Sequence, residues 1–129
     1  MNKKLLSRSG KPVLFVYNAD SSLFNQVGDF IHKTISPKTY PCNLCSLTYS
    51  GASMKKDWKE FINLLPVKVG FLHKDEFLKF YPDRQNITFP IAFVKEENLL
   101  TEFISTNEIN QLKSLEDLKT LVKEKVANL

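Results

Sequence analysis

The chain has 129 residues, of which 43% are hydrophobic and 25% charged; this is the balance of an ordinary globular domain and excludes disorder over most of the length. The net charge of +4 is mild, and the 18 basic residues are spread along the chain rather than gathered in one stripe, so we expect no nucleic-acid partner. Without the apolar run of a signal peptide or a membrane span, the sequence predicts one cytoplasmic domain over residues 1–129, with 1–11 as a loose arm.

The first part of the chain carries one strand signal and two helix signals. The unbroken apolar run from Val13 to Tyr17 predicts a strand that is buried on both faces. Apolar residues at helical spacing then predict a helix that ends at Pro37. A second apolar stripe predicts a helix that Ser53 caps and Pro66 ends.

The second part of the chain is richer in strands. Residues 67–72 are predicted to form the second strand and residues 75–81 a short helix. Apolar runs over 89–94 and 99–104 flank a polar turn and predict an antiparallel hairpin, and Ser114 caps an amphipathic terminal helix. Because helices separate the first two strands, we expect these strands to be parallel. The predicted fold is α/β, a mixed four-stranded sheet with helices on both faces.

This order resembles the thioredoxin-like fold over about residues 12–127. The clearest part is a strand that opens with Phe89-Pro90, followed by a hairpin and a terminal helix. In that family the matching proline has a cis peptide bond beside the active site, which the resemblance implies for Pro90. The family carries Cys-x-x-Cys after the first strand, where this chain has Asn18-Ala19-Asp20-Ser21, so the usual catalytic assignment does not transfer. The stretch from His32 to Cys45 also resembles one in small uncharacterised bacterial proteins, which implies no function.

The motif Cys42-Asn43-Leu44-Cys45 carries the candidate chemistry. Pro41 favours a helix that begins here, and a cysteine at a helix N-terminus is favoured as thiolate. Cys42 is therefore the candidate nucleophile, and Cys45, one turn on, can resolve a mixed disulfide with a protein or a small thiol. This redox interpretation predicts an exposed Cys42. The resemblance adds Pro90 as a residue that shapes a substrate groove.

Two other interpretations of the pair stay open, and with them the question whether the chain is an enzyme or a binding module. Cys-x-x-Cys is half of a tetrahedral zinc site, for which His32 and His73, or a carboxylate such as Asp75 or Glu76, are the candidates for the other ligands. The cysteines can also be buried thiols that pack residues 36–52, because cysteine is among the most buried residue types. No cofactor other than zinc is indicated. The length of the 36–52 connection predicts that Cys42 lies far from Pro90.

Overall fold

The structure is a computed structural model that describes residues 10–20, 42–50, 53–97 and 99–129. The predicted helix that ends at Pro37 and nearly all of the predicted N-terminal arm lie outside these ranges. Within them the elements, in chain order, are β1 Val13–Tyr17, α1 Asn43–Thr48, β2 Tyr49–Ser50, β3 Ser53–Met54, α2 Lys56–Asn63, β4 Val69–His73, α3 Lys74–Phe80, β5 Ile91–Glu96, β6 Leu99–Ile104, α4 Thr106–Asn110 and α5 Leu115–Ala127.

Strand β1 lies inside a four-stranded sheet with the order β4-β1-β5-β6. It runs parallel to β4, with Val13 opposite Val69, and antiparallel to β5, with Val16 opposite Ile91. Strands β5 and β6 form an antiparallel hairpin, and Glu97 in its turn has a positive φ of 54°. The predicted mixed sheet, the parallel first pair and the closing hairpin are confirmed.

The two faces of the sheet carry separate cores, because successive residues of a strand point to opposite faces. Phe15 and Tyr17 enter a core that contains Trp58 of α2, and we call this the Trp58 face. Val16 enters a second core around Phe77 of α3, the Phe77 face. Helices therefore pack on both faces, as predicted. The helical residues buried on the Trp58 face are Leu44, Cys45, Leu47, Trp58, Ile109, Leu118 and Val122.

Helix α2 begins later than the sequence predicts. Its N-cap is Lys55, whereas Ser53 pairs with Ser50 in the short β2–β3 hairpin. The Lys55 N–H donates to the Thr48 carbonyl at 2.7 Å, so the chain stays extended up to the first turn of the helix. The prediction that Ser53 caps this helix is wrong, because the hairpin uses that residue.

The stretch between β6 and α5, which the sequence predicts as a loop, contains α4. The Ser105 hydroxyl accepts the Glu108 N–H at 3.1 Å, and the Glu108 carboxylate accepts the Ser105 N–H at 2.8 Å. This reciprocal pair is a capping box, and the backbone hydrogen bond is the main cause that lowers the pKa of Glu108. Ile109 is fully buried and fixes α4 on the Trp58 face. The Ser-x-x-Glu spacing is the sequence signal for this helix.

We expect Ser105→Ala to lower the free energy of unfolding by about 1 kcal/mol, because it removes the oxygen that accepts the Glu108 N–H. Urea denaturation followed by circular dichroism measures this loss. Asn110→Ala, an exposed position at the end of α4, is the matched control and should change the value by less than about 0.5 kcal/mol. Equal losses in the two variants would contradict the capping role.

Candidate functional site

The two cysteines lie at the start of α1 and are joined as a disulfide, with their Cα atoms 5.2 Å apart. Cys42 is the N-cap residue, and the Cys45 N–H donates a hydrogen bond to Cys42 Sγ at 3.3 Å. The sulfur thus occupies the place of the hydroxyl oxygen that commonly accepts a hydrogen bond from the first turn of a helix. The predicted position of Cys42 at a helix N-terminus is confirmed.

Helix α1 is held in place by a side chain inside the Cys-x-x-Cys motif. Asn43 Nδ2 donates to the carbonyl oxygens of Ile109 at 2.8 Å and Leu112 at 3.0 Å. These acceptors belong to α4 and to the loop that follows it, so α1 is tied to the C-terminal part of the chain. Leu44 is fully buried in the Trp58 face beneath the helix. No sequence pattern indicates this role of Asn43, because its acceptors are backbone groups more than sixty positions away.

Both sulfur-bearing residues are buried. Cys42 is 2% exposed and Cys45 is 7% exposed, and both belong to the core of the Trp58 face. The redox interpretation predicted an exposed Cys42, and this expectation is wrong for the disulfide-bonded protein. A partner thiol or disulfide can reach the pair only if the N-terminus of α1 moves away from its contacts.

Tyr17 links the end of β1 to α1 and to β4. Its ring meets the Tyr49 ring edge-on and the His73 ring at a tilt, each with centroids 5.6 Å apart. Burial raises the pKa of the Tyr17 hydroxyl far above its ordinary value, and the neighbouring Tyr49 raises it further. Because the phenol stays protonated at physiological pH, Tyr17 can donate a hydrogen bond here but cannot act as a base.

Pro90 is buried directly before β5, and its peptide bond with Phe89 is cis. The C-cap residue of α1, Tyr49, contacts Tyr17, and α1 is six residues or about 9 Å long. That Cys42 lies far from Pro90 stays a prediction.

His73, a predicted zinc ligand, ends β4 and caps α3. Its N–H donates to Glu76 Oε1 at 2.8 Å, and its Nδ1 lies 2.9 Å from the same oxygen. The backbone hydrogen bond, followed by the side-chain contact, lowers the pKa of the Glu76 carboxyl. Asp75 and Glu76 stand in the first turn, as the sequence predicts for the polar entry to a helix. The contacts of His73 are those of a helix cap.

The zinc ligands predicted from the sequence do not come together as a metal site among the residues that the structure describes. Those residues contain no group of three or more His, Cys, Asp or Glu side chains that could hold a metal ion. His32 lies outside those residues. The disulfide occupies both Cys42 and Cys45, which would have to be thiolates to bind a metal.

Comparison of the chain with protein-family models, with curated proteins and with solved structures finds no match. The fold and the site define the class as an α/β protein with a mixed four-stranded sheet and a Cys-x-x-Cys disulfide at a helix N-terminus. In the described ranges, no helix is long and apolar enough to cross a membrane.

We expect Asn43→Ala to lower the free energy of unfolding by about 1–2 kcal/mol, because the Ile109 and Leu112 carbonyls lose their donor. Dithiothreitol should also reduce the disulfide faster, because α1 is held less firmly. Urea denaturation and timed alkylation measure the two effects. Gln111→Ala, exposed in the adjoining loop, is the control that should change neither. A reduction rate equal to that of the unmutated protein would contradict the anchoring role of Asn43.

The lowered pKa of Glu76 predicts a pH-dependent contribution to stability. A depressed carboxyl pKa stabilises the fold above the unfolded value of about 4.5, and this contribution is lost as the pH falls through the folded value. Glu76→Gln keeps the size and an acceptor oxygen but removes the charge. We expect the variant to be less stable than the unmutated protein at pH 7, and the difference to shrink at pH 3. Urea titrations at both pH values measure this; a gap of equal size at both would show that the charge of Glu76 is not its cause.

Proposed function

We propose that this chain is a small thioredoxin-like thiol–disulfide redox protein whose reactive group is the Cys42–Cys45 pair. One observation carries the proposal: the two thiols are close enough across the first turn of α1 to close as a disulfide. In this geometry the dithiol form can release two electrons by closing the disulfide, and the disulfide can take up two electrons by opening again.

Support for the family comes from the C-terminal half. The Phe89–Pro90 bond precedes β5, the hairpin with β6 follows, and α5 ends the chain, which is the pattern that the resemblance implies. The chain still differs from the family directly after β1, where Asn18, Ala19 and Asp20 occupy the position of the family's thiols. The proposal therefore assigns the redox role to a displaced motif on α1.

The size of the disulfide loop favours a redox role over a structural one. A bond between residues three positions apart closes a very short loop, and the chain-entropy model gives it only about 2 kcal/mol of stabilisation. The Trp58 face already buries α1 through Leu44 and Leu47. A disulfide adds little to the forces that already hold this helix in place. Reversible thiol–disulfide exchange is therefore the better explanation for two cysteines here.

The reaction follows from the positions of the two sulfurs. In the reduced protein the Cys42 thiolate, favoured by the Cys45 N–H and the helix N-terminus, attacks a partner disulfide and releases one partner thiolate. The Cys45 thiol then loses its proton to solvent and attacks the Cys42 sulfur of the mixed disulfide. This step releases the second partner thiolate and forms the Cys42–Cys45 disulfide. Two electrons pass from the pair to the partner, and the observed state is the oxidised product.

The test is equilibration in glutathione buffers of graded potential, followed by acid trapping, alkylation and mass spectrometry. We expect one two-electron transition, at a potential above about −300 mV, where exchanging disulfides lie. Cys42→Ser should abolish mixed-disulfide formation with glutathione. Cys45→Ser should instead accumulate it, because the resolving thiol is gone.

Two outcomes would contradict the redox proposal. If the folded protein stays oxidised under excess dithiothreitol and is reduced only after unfolding, the disulfide is structural. If the reduced protein retains a zinc ion in native mass spectrometry and loses it in Cys42→Ser, the metal-site interpretation of the pair holds. Zinc titration of His73→Ala would then test the second half of that site.

A further inference from the structure

The Phe77 face carries a groove that the redox proposal does not use. Helix α3 begins where β4 ends and is seven residues or about 10 Å long, so it covers the sheet only part of the way back along β4. Beyond its end lies a cavity of about 550 Å³, within the usual size range of small-molecule sites. The disulfide belongs to the opposite face of the sheet.

The floor of the groove is apolar, and at Gly70 no side chain rises from it. Leu14 of β1 stands beside Gly70 of β4, and Leu72 continues the row along the same strand. A Cβ placed on Gly70 would meet Leu14 Cδ1 at 3.8 Å, an ordinary van der Waals distance. The backbone of Gly70 therefore has room for a side chain, and the absence of one leaves the space above the strand open.

One end of the groove carries two lysines. The Val13 N–H donates to the Lys68 carbonyl at 2.8 Å, and the Lys95 N–H donates to the Pro12 carbonyl at 2.9 Å. Lys68 and Lys95 thus lie on either side of the chain at Pro12. Their Cα atoms are about 10 Å apart, which is twice the spacing of neighbouring strands. Both are exposed and both line the groove.

The ammonium groups of these two lysines are not engaged in ion pairs within the described ranges. Lys11, close by in sequence, pairs with Glu96 at 2.9 Å instead. Two ammonium groups without partners at the end of an apolar floor provide charge complementarity for one anionic head group.

The wall of the groove is aromatic. Phe80, the last residue of α3, is 67% exposed, and Tyr81 beside it stacks on Phe77 with centroids 5.1 Å apart. Both line the groove. An exposed phenylalanine above an apolar floor leaves an apolar surface that a ligand can remove from water.

We propose that this groove binds an amphipathic anion, a medium-chain carboxylate of about ten carbons. The carboxylate lies between Lys68 and Lys95, where ammonium groups form charge-assisted hydrogen bonds with it. The alkyl chain lies over Gly70 and Leu72 and against Phe80. This inference does not rest on the proposed redox function, because the groove and the disulfide lie on opposite faces of the sheet.

The test is calorimetric titration of the full oxidised chain with decanoate below its micellar concentration. Decyltrimethylammonium, with the same alkyl chain and the opposite charge, is the ligand control. We expect decanoate to bind with one-to-one stoichiometry and decyltrimethylammonium to bind at least about tenfold more weakly. Equal affinities for the two amphiphiles would overturn the proposal, because the lysine pair would then have no part in recognition.

Two variants test separately how the lysine charges and the apolar floor contribute to binding. The double variant Lys68→Gln with Lys95→Gln should weaken decanoate binding about tenfold, whereas Lys123→Gln, exposed on α5, should leave it unchanged. Gly70→Val should abolish binding, because its side chain fills the floor at a contact distance the fold tolerates and valine suits a strand. Unaltered thermal unfolding shows that each variant folds.

A second copy of the chain is the competing occupant of the groove. If the protein alone forms dimers in sedimentation measurements and Gly70→Val makes it monomeric, the groove is an interface between copies and the ligand proposal fails. If Gly70→Val binds decanoate as tightly as the unmutated chain does, the carboxylate lies elsewhere and the proposal fails as well.

Discussion

The structure depends on the way in which β1 is bonded on both sides and buried on both faces. Its backbone pairs with β4 on one edge and with β5 on the other. Phe15 and Val16, neighbours in the chain, are fully buried in different cores. A strand with both edges paired and four of its five side chains buried leaves its neighbours little freedom, so the helices on each side are positioned relative to it. The Cys42–Cys45 disulfide and the groove take their positions from this arrangement.

Helix α1 shows how much a short element depends on its surroundings. Six residues are too few for a helix that is stable in water, so its conformation comes from its contacts. Leu44 packs into the core, Thr48 donates its hydroxyl hydrogen back to the Leu44 carbonyl at 2.7 Å, and Asn43 is bonded to α4 and its loop. The disulfide closes on a helix that these contacts already place. Under the redox proposal, local opening of this one short helix would expose the sulfurs while the sheet stays folded.

The sheet separates two kinds of chemistry. On the Trp58 face both cysteines are buried in an apolar core, which separates the disulfide from solvent. On the Phe77 face a single short helix leaves part of the sheet open between Phe80 and the lysines at 68 and 95. The same strand pair supplies both sides, since alternate residues of β1 and β4 point in opposite directions. A change in one site therefore need not alter the other.

The elements of this protein that the sequence determined by itself are those with a strong local pattern. The apolar run of β1, the hairpin runs of β5 and β6 and the Ser114 cap of α5 are readable because hydrophobic burial and capping are local preferences. The Cys-x-x-Cys spacing likewise indicated a pair across one helical turn. The Ser105–Glu108 spacing is also typical of a helix cap. A helix of five residues is too short to show a repeating apolar pattern, so the sequence alone did not indicate it.

Only the tertiary structure decided where those pieces meet. The anchoring of Asn43 by Ile109 and Leu112 and the burial of Cys42 rest on contacts that no local pattern encodes. Ser53 went to a hairpin rather than to a helix cap because Ser50 was available to pair with it. Lys68 and Lys95 became one cationic end only through the strands that flank Pro12. Local preference selects the element, but long-range pairing and burial select the neighbours that give a side chain its chemistry.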